Sequence, residues 1–231
     1  MSYRKNGLKA LGLMVVAALG LMAFMATGAQ ANWLVNGVEL KANEAVAATA
    51  HTNGILTVPA KKLEIECTTL ASKNLKLLAS SATAEGEVEF SNCTTFSPPG
   101  AERKEQKNCK PGEPIKAGGK AKLILHNAQN YVLFEPTTAG GKFATITFGE
   151  LCSLTETSDV KGTLVAECLT SALAHADCNT SEASHLIQPA PAALFTGDKL
   201  TYGAGLEATL KGVAKVELSG ESKGKPWAGH V

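Results

Sequence analysis

The residues of this 231-residue chain best equipped for chemistry are six cysteines, Cys67, Cys93, Cys109, Cys152, Cys168 and Cys178. A thiol can be a nucleophile, a metal ligand or half of a disulfide, and spacing separates these roles. Successive cysteines lie 26, 16, 43, 16 and 10 residues apart. None has the two-to-four-residue gap through which neighbouring thiolates share a zinc ion. A Cys-x-x-Cys redox pair is absent from the sequence too. An even number of well-spaced cysteines in an exported chain reads as a disulfide framework, so all six are assigned to disulfides. No metal and no cofactor is expected. Six cysteines allow fifteen connectivities. The expected set is 67–93, 152–168 and 109–178, with 93–109 the substitute should 67–93 fail. The separation of 26 recurs from Cys152 to Cys178, and "SNCTT" echoes "ADCNT", as an internal duplication would produce.

One constellation joins other catalytic residue types. "HADC" places His175, Asp177 and Cys178 together, and a free Cys178 beside His175 would become nucleophilic. The competing reading, a polar turn around a bridged cysteine, fits an exported protein better. His51, His126, His175, His185 and His230 are scattered, and neither a Gly-x-Ser-x-Gly elbow nor a Ser-x-x-Lys occurs. Glu64/Glu66 and Glu85/Glu87/Glu89 would have to meet across a hairpin to act as glycosidase carboxylates do. Their alternation reads instead as the wet face of a sheet. Trp33 and Trp227 would offer an aromatic platform to a sugar, but isolated tryptophans usually pack in cores. "NCT" at Asn92 and "NTS" at Asn179 match the glycosylation acceptor pattern; each has a cysteine beside the Asn, and both are read as coincidental.

The start of the chain sets the compartment. Arg4, Lys5 and Lys9 precede an apolar stretch from Leu11 to Met25, which closes on Ala29-Gln30-Ala31. This is the pattern of a secretory signal peptide, residues 1–31, cut before Asn32. An uncleaved anchor is the competing reading, because the apolar stretch approaches the shortest spanning helix. Cleavage takes three of the 22 basic residues and none of the 21 acidic ones, so the formal charge falls from +1 to −2. All four methionines lie in the signal and all six cysteines beyond it. So neutral a surface has no electrostatic footprint for nucleic acid or anionic lipid. Residues 32–231 form a β-domain, large enough to be read also as two β-rich halves, 32–140 and 141–231.

Strands must position these residues. "NWLVNGVELKA" is β-prone on both sides of Asn36-Gly37, a two-residue hairpin signal. In "LEIEC", Leu63, Ile65 and Cys67 share a face; in "EGEVEF", Gly86, Val88 and Phe90 oppose three glutamates. Further strands are "KAKLILH", "NYVLFE", "KFATITFG" and "KGTLVAECL". From Leu206 to Leu218 the even positions are apolar or small, and Gly212 marks a bend where the strand changes sheet. "LTSALAHADC" is the one competing helical run. "SPPGAERKEQKNCKPGEP" and "QPAPAALFTGDK" are loops, the first long and charged enough to be mobile or partner-facing. By strict alternation Cys93 falls on the Glu face, so bridging it to Cys67 requires a bulge or twist near Ser91-Asn92.

"NWLVNGVEL" resembles the Trp-x-Val-Asn-Gly-x-x-Leu opening of a group of uncharacterised secreted bacterial proteins. The likeness continues through "LEIECTT", "FATITFGELCSL", "SHLIQP" and "AKVELSGESKGKPW". It implies an exported β-domain and carries no activity. The fold expected is therefore all-β: an antiparallel β-sandwich of one or two packed sub-sheets, disulfide-stapled, behind an N-terminal signal helix. The function expected is that of a non-enzymatic envelope or extracellular protein, secreted or periplasmic, with a binding or structural role. A protein or cell-surface partner fits that role, with no nucleic acid and no membrane span after signal cleavage. The alternative is a secreted hydrolase using the strand-face carboxylates or the His175/Cys178 region.

Overall fold

The computed structural model describes residues 31–154, 157–169, 175–176, 178–190 and 199–231. The signal segment, Asp177, the core of the "LTSALAHADC" run and much of the second loop lie outside the described residues. The strands are β1 (Asn32–Val35), β2 (Val38–Glu39), β3 (Glu44–Ala50), β4 (Gly54–Val58), β5 (Leu63–Leu77) and β6 (Thr83–Ser97). Next come β7 (Lys104–Glu105), β8 (Ile115–His126), β9 (Gln129–Glu135), β10 (Lys142–Thr147), β11 (Thr157–Gly162) and β12 (Leu164–Leu169). The last are β13 (His175–Ala176), β14 (Ser184–Pro189), β15 (Leu200–Tyr202), β16 (Leu206–Lys211), β17 (Ala214–Leu218) and β18 (Trp227–His230). Asn36 and Gly37 take φ values of 51° and 73° between β1 and β2, the primed turn that matches strand twist.

Every pairing is antiparallel, and the large sheet closes on itself twice. One ring runs β4-β5-β6-β8-β10-β11-β15-β16 and back to β4; the other runs β3-β5-β6-β8-β9-β12-β14-β17 and back to β3. The expected antiparallel, disulfide-stapled sandwich thus takes the form of two rings sharing a wall of β5, β6 and β8. The wall strands are long, 15, 15 and 12 residues, because each serves one ring with one half and the other ring with the other. The rings do not follow a division at residue 140, since each takes strands from both sides of it.

The chain passes between rings at a waist. It crosses from β3 to β4, from β11 to β12 and from β16 to β17, the last at Gly212 as its place in the alternation predicts. Gly212 has φ 143°, and Gly162, at the second crossing, has φ 103°. A Cβ on Gly162 would lie 1.9 Å from the Lys199 carbonyl oxygen, so no other residue fits there without moving backbone. The His51 and Thr52 N–H groups donate to the Val213 carbonyl at 2.8 and 3.0 Å, tying the first and third crossings together.

Each ring holds its own core. Val58, Leu63, Ile65, Ile146 and Tyr202 fill the first. Val46, Leu77, Leu123, Val132 and Leu218 fill the second, capped by the small sheet β18-β1-β2 with Trp33 and Trp227.

The disulfides follow these cores. Cys67–Cys93 forms as expected, but the other bonds are Cys109–Cys152 and Cys168–Cys178, which replace the expected 152–168 and 109–178. Cys109 and Cys152 belong to the first core, and Cys168 and Cys178 to the second, so a 152–168 bond would have to join different cores. The recurrent 26-residue spacing therefore yields one bond, not two.

Cys93 reaches the inner face by the twist its position demands. Register with β5 is unbroken from Glu87 to Phe96, yet Asn92 takes φ 53°, turning Cys93 and Thr95 inward where Val88 and Phe90 had been. The flip frees two backbone donors, and the Glu113 carboxylate takes both, from Asn92 N at 3.0 Å and Cys93 N at 2.7 Å. Glu113→Ala should therefore cost about 1–3 kcal/mol in urea unfolding, and Glu113→Gln less, because its amide oxygen can still accept. An unchanged midpoint for both would show that other contacts hold the flip.

The long charged loop corrects another expectation. It is pinned rather than free: Lys104 and Glu105 pair with β6, Arg103 reaches β5, and Cys109 is bonded.

Candidate functional site

The residues that suggested catalysis do not gather. Cys178 is bonded to Cys168, and all six cysteines are paired, so no thiol is available as a nucleophile. His175 lies in β13, paired with Leu169, and Asp177 lies outside the described residues. Arg103 spans Glu64 and Glu66, with its Nη1 donating to Glu64 at 2.7 Å and also to Glu66, and its guanidinium 4.1 Å over the Phe96 ring. The Asn53 amide donates to Glu66 as well. These hydrogen bonds, to Glu64 first and then Glu66, hold the Arg103 pKa above its ordinary value. Glu85 pairs with Lys76 at 3.0 Å, and Glu89 lies between Lys73 and Lys116 at 3.6 and 3.7 Å. Register sets Glu87 opposite Lys73. Each acid thus faces a base, Glu85 and Glu89 across the sheet as on a strand's outer face and Glu64, itself buried, beneath Arg103. Among the described residues no three His, Cys, Asp or Glu side chains cluster as a metal site requires.

Among the described residues are two concave features, an open polar one beside Glu87, Lys116 and Lys142 and an apolar one between the rings. An apolar cavity of about 310 Å³ runs through the waist and borders both cores. Its walls include Leu70, Leu75, Phe90, Phe143, Leu164 and Leu210, which are only half-buried because they face space rather than atoms. The cause is in the sequence. Inward positions that would need Val or Leu to fill an eight-stranded ring carry Ala50, Gly86, Ala117, Gly119, Ala166 and Ala214. Strand alternation turns the charged neighbours Lys116 and Glu87 the other way. Native interiors hold few voids larger than a water molecule, so a space of this size is a feature to be explained.

At one end the cavity meets Trp33 and Trp227, both buried, with ring centroids 5.8 Å apart. The tryptophans distant in sequence are therefore brought together, but as a plug and not as an exposed sugar platform. Trp33 Nε1 donates to the Thr83 carbonyl at 2.8 Å. His185, 1% exposed, packs on Trp227 at 4.1 Å, with Nε2 2.7 Å from the Trp227 carbonyl oxygen. Its Nδ1 has no hydrogen-bonding partner among the described residues. Reading the sequence as scattered histidines missed this one, although "SHLIQP" places His185 and Ile187 on one strand face.

Burial lowers the His185 pKa, against smaller opposing effects of the Trp227 carbonyl and Glu182. The folded protein keeps the ring neutral, whereas the unfolded chain protonates near the ordinary value of about 6.5. Stability from this group is therefore complete above that pH and lost as pH falls toward the lowered folded value. The melting temperature should drop on acidification from neutrality, and His185→Gln should flatten the drop. Identical pH slopes in the two proteins would contradict the assignment.

Three disulfides fit an oxidising compartment, and no helix among the described residues is long and apolar enough to cross a membrane. No family model matches the chain, and no curated protein or solved structure matches it.

Proposed function

We propose that the protein is exported and acts by binding, not catalysis, with the cavity at its waist as the binding site. The observation that carries this reading is the cavity's wall: it is apolar, while the candidate acids are tied to bases and Cys178 is bonded. A general acid or base must reach its substrate, whereas Glu64 and Glu66 are held under Arg103 and Glu85 and Glu89 are held by lysines. Pockets of about 300–1,000 Å³ with apolar walls are the usual form of small-molecule sites. The basic head, apolar stretch and Ala-Gln-Ala site supply the export signal, and oxidation of six thiols suits its destination.

The test is fractionation of cells and medium followed by N-terminal sequencing of the recovered protein. The expected product begins at Asn32, in the medium or envelope. An intact form beginning at Met1 in the cytosol would overturn the export reading. Turnover of ester or glycoside substrates that is lost on Glu64→Gln would overturn the non-catalytic one.

A further inference from the structure

We infer that the cavity takes an uncharged, apolar molecule and holds it without a polar anchor, an inference that rests on the binding role proposed above. An engineered apolar cavity of about 150 Å³ stays dry and admits benzene. Here the space is about 310 Å³, roughly twice that, and most of its lining side chains are aliphatic or aromatic. Water would find few partners in it, so filling by an apolar guest replaces poorly satisfied solvent with dispersion contacts.

Polar side chains do border the cavity, but among the described residues those that do are engaged or turned outward, and the unpartnered Trp227 Nε1 is fully enclosed rather than open to the space. Lys120 and Glu85 are outward neighbours in the β6–β8 pairing, and Glu85 is engaged by Lys76. The Gln188 amide donates to Glu167 at 2.6 Å. Thr52 Oγ1 accepts from Val213 N at 2.9 Å. Lys211 follows inward-facing Leu210 and is itself exposed. A carboxylate or phosphate head drawn into the lumen would therefore lose its hydration and gain no cation. The specificity is for apolar bulk and against charge.

The sequence gives the protein a built-in reporter. Its only two tryptophans, Trp33 and Trp227, both line the cavity. The experiment titrates the full mature chain with uncharged phenylnaphthylamine and, separately, with its sulfonated analogue. It follows dye emission and the quenching of tryptophan by energy transfer. The expected result is saturable uptake of one uncharged dye per chain with tryptophan quenching, and at least tenfold weaker uptake of the sulfonated dye. Ala117→Leu and Ala214→Leu, which extend half-buried side chains into the space, should each weaken uptake tenfold or more without lowering the melting temperature. Lys116→Ala, on the outer face, should leave uptake unchanged. Equal or tighter uptake of the sulfonated dye would overturn the ligand class while leaving the binding role intact. No saturable uptake of either dye would overturn the binding role itself. Uptake that survives both filling variants, folded as judged by their melts, would place the site elsewhere and overturn the assignment to the cavity.

Discussion

Val216→Asp should leave little or no folded protein at room temperature, whereas Thr209→Asp should melt within a few degrees of the wild type. Val216 is buried in the second core on β17, paired with His185 on one side and Ala48 on the other. A carboxylate there meets no Lys or Arg among the described residues, and its cross-strand neighbour His185 is disfavoured as a cation by burial. Desolvating an unpaired charge costs several kcal/mol, a large share of the roughly 5–15 kcal/mol that holds a domain together. Thr209 is exposed on β16, and exposed substitutions usually fall within about 0.5 kcal/mol. Leu210→Asp should fall between the two, because Leu210 is half-buried beside the cavity and the new carboxylate can draw water in. Comparable melts for Val216→Asp and Thr209→Asp would refute the facing of these strands.

Loss of the disulfides should have the next largest effect, and the three should not be equal. In the chain-entropy account the stabilisation grows with the loop closed. Cys109–Cys152 spans 43 residues, Cys67–Cys93 spans 26 and Cys168–Cys178 spans 10. The corresponding losses for paired Cys→Ser variants are roughly 4, 3.5 and 2.7 kcal/mol. The Cys109/Cys152 pair should cost most for a second reason, since it also anchors the charged loop beside the end of β10. Peptide mapping without reduction should find the three bonds named here and no alkylated cysteine. A stoichiometrically reactive thiol at Cys178 would contradict the structural assignment and revive a nucleophile.

Much of the fold was legible in the sequence because strands announce themselves locally. Period-two alternation located β5, β6, β8 and β17, and Asn36-Gly37 located the first hairpin. Gly212 and the twist at Asn92 were legible as well, because each is a local conflict that only a special φ resolves. Ring closure was not, since it depends on which strand meets the far edge of β8, a contact between residues distant along the chain. The same non-locality hid two of the three disulfides. Cys152 and Cys168 lie 16 residues apart, yet the β11-to-β12 crossing carries the chain from one core to the other between them. The charged loop looked free because its anchors, Glu64 and Cys152, lie far away in sequence. The cavity left a signal that went unread: alanines and glycines at successive inward positions, as in "IKAGGKAKL", keep the period of a strand while withholding the volume that would fill a ring.

That withheld volume is the centre of the functional account, and one spectrum tests it. With the methyl groups of Leu, Ile and Val labelled, intermolecular NOEs from bound phenylnaphthylamine locate the ligand by contact. Cross-peaks are expected to Leu70, Leu164, Ile187 and Leu210, which line the cavity, and none to the exposed Val38, Leu125 and Leu151. Cross-peaks to the exposed set alone, or a saturated complex with none to the cavity methyls, would contradict it.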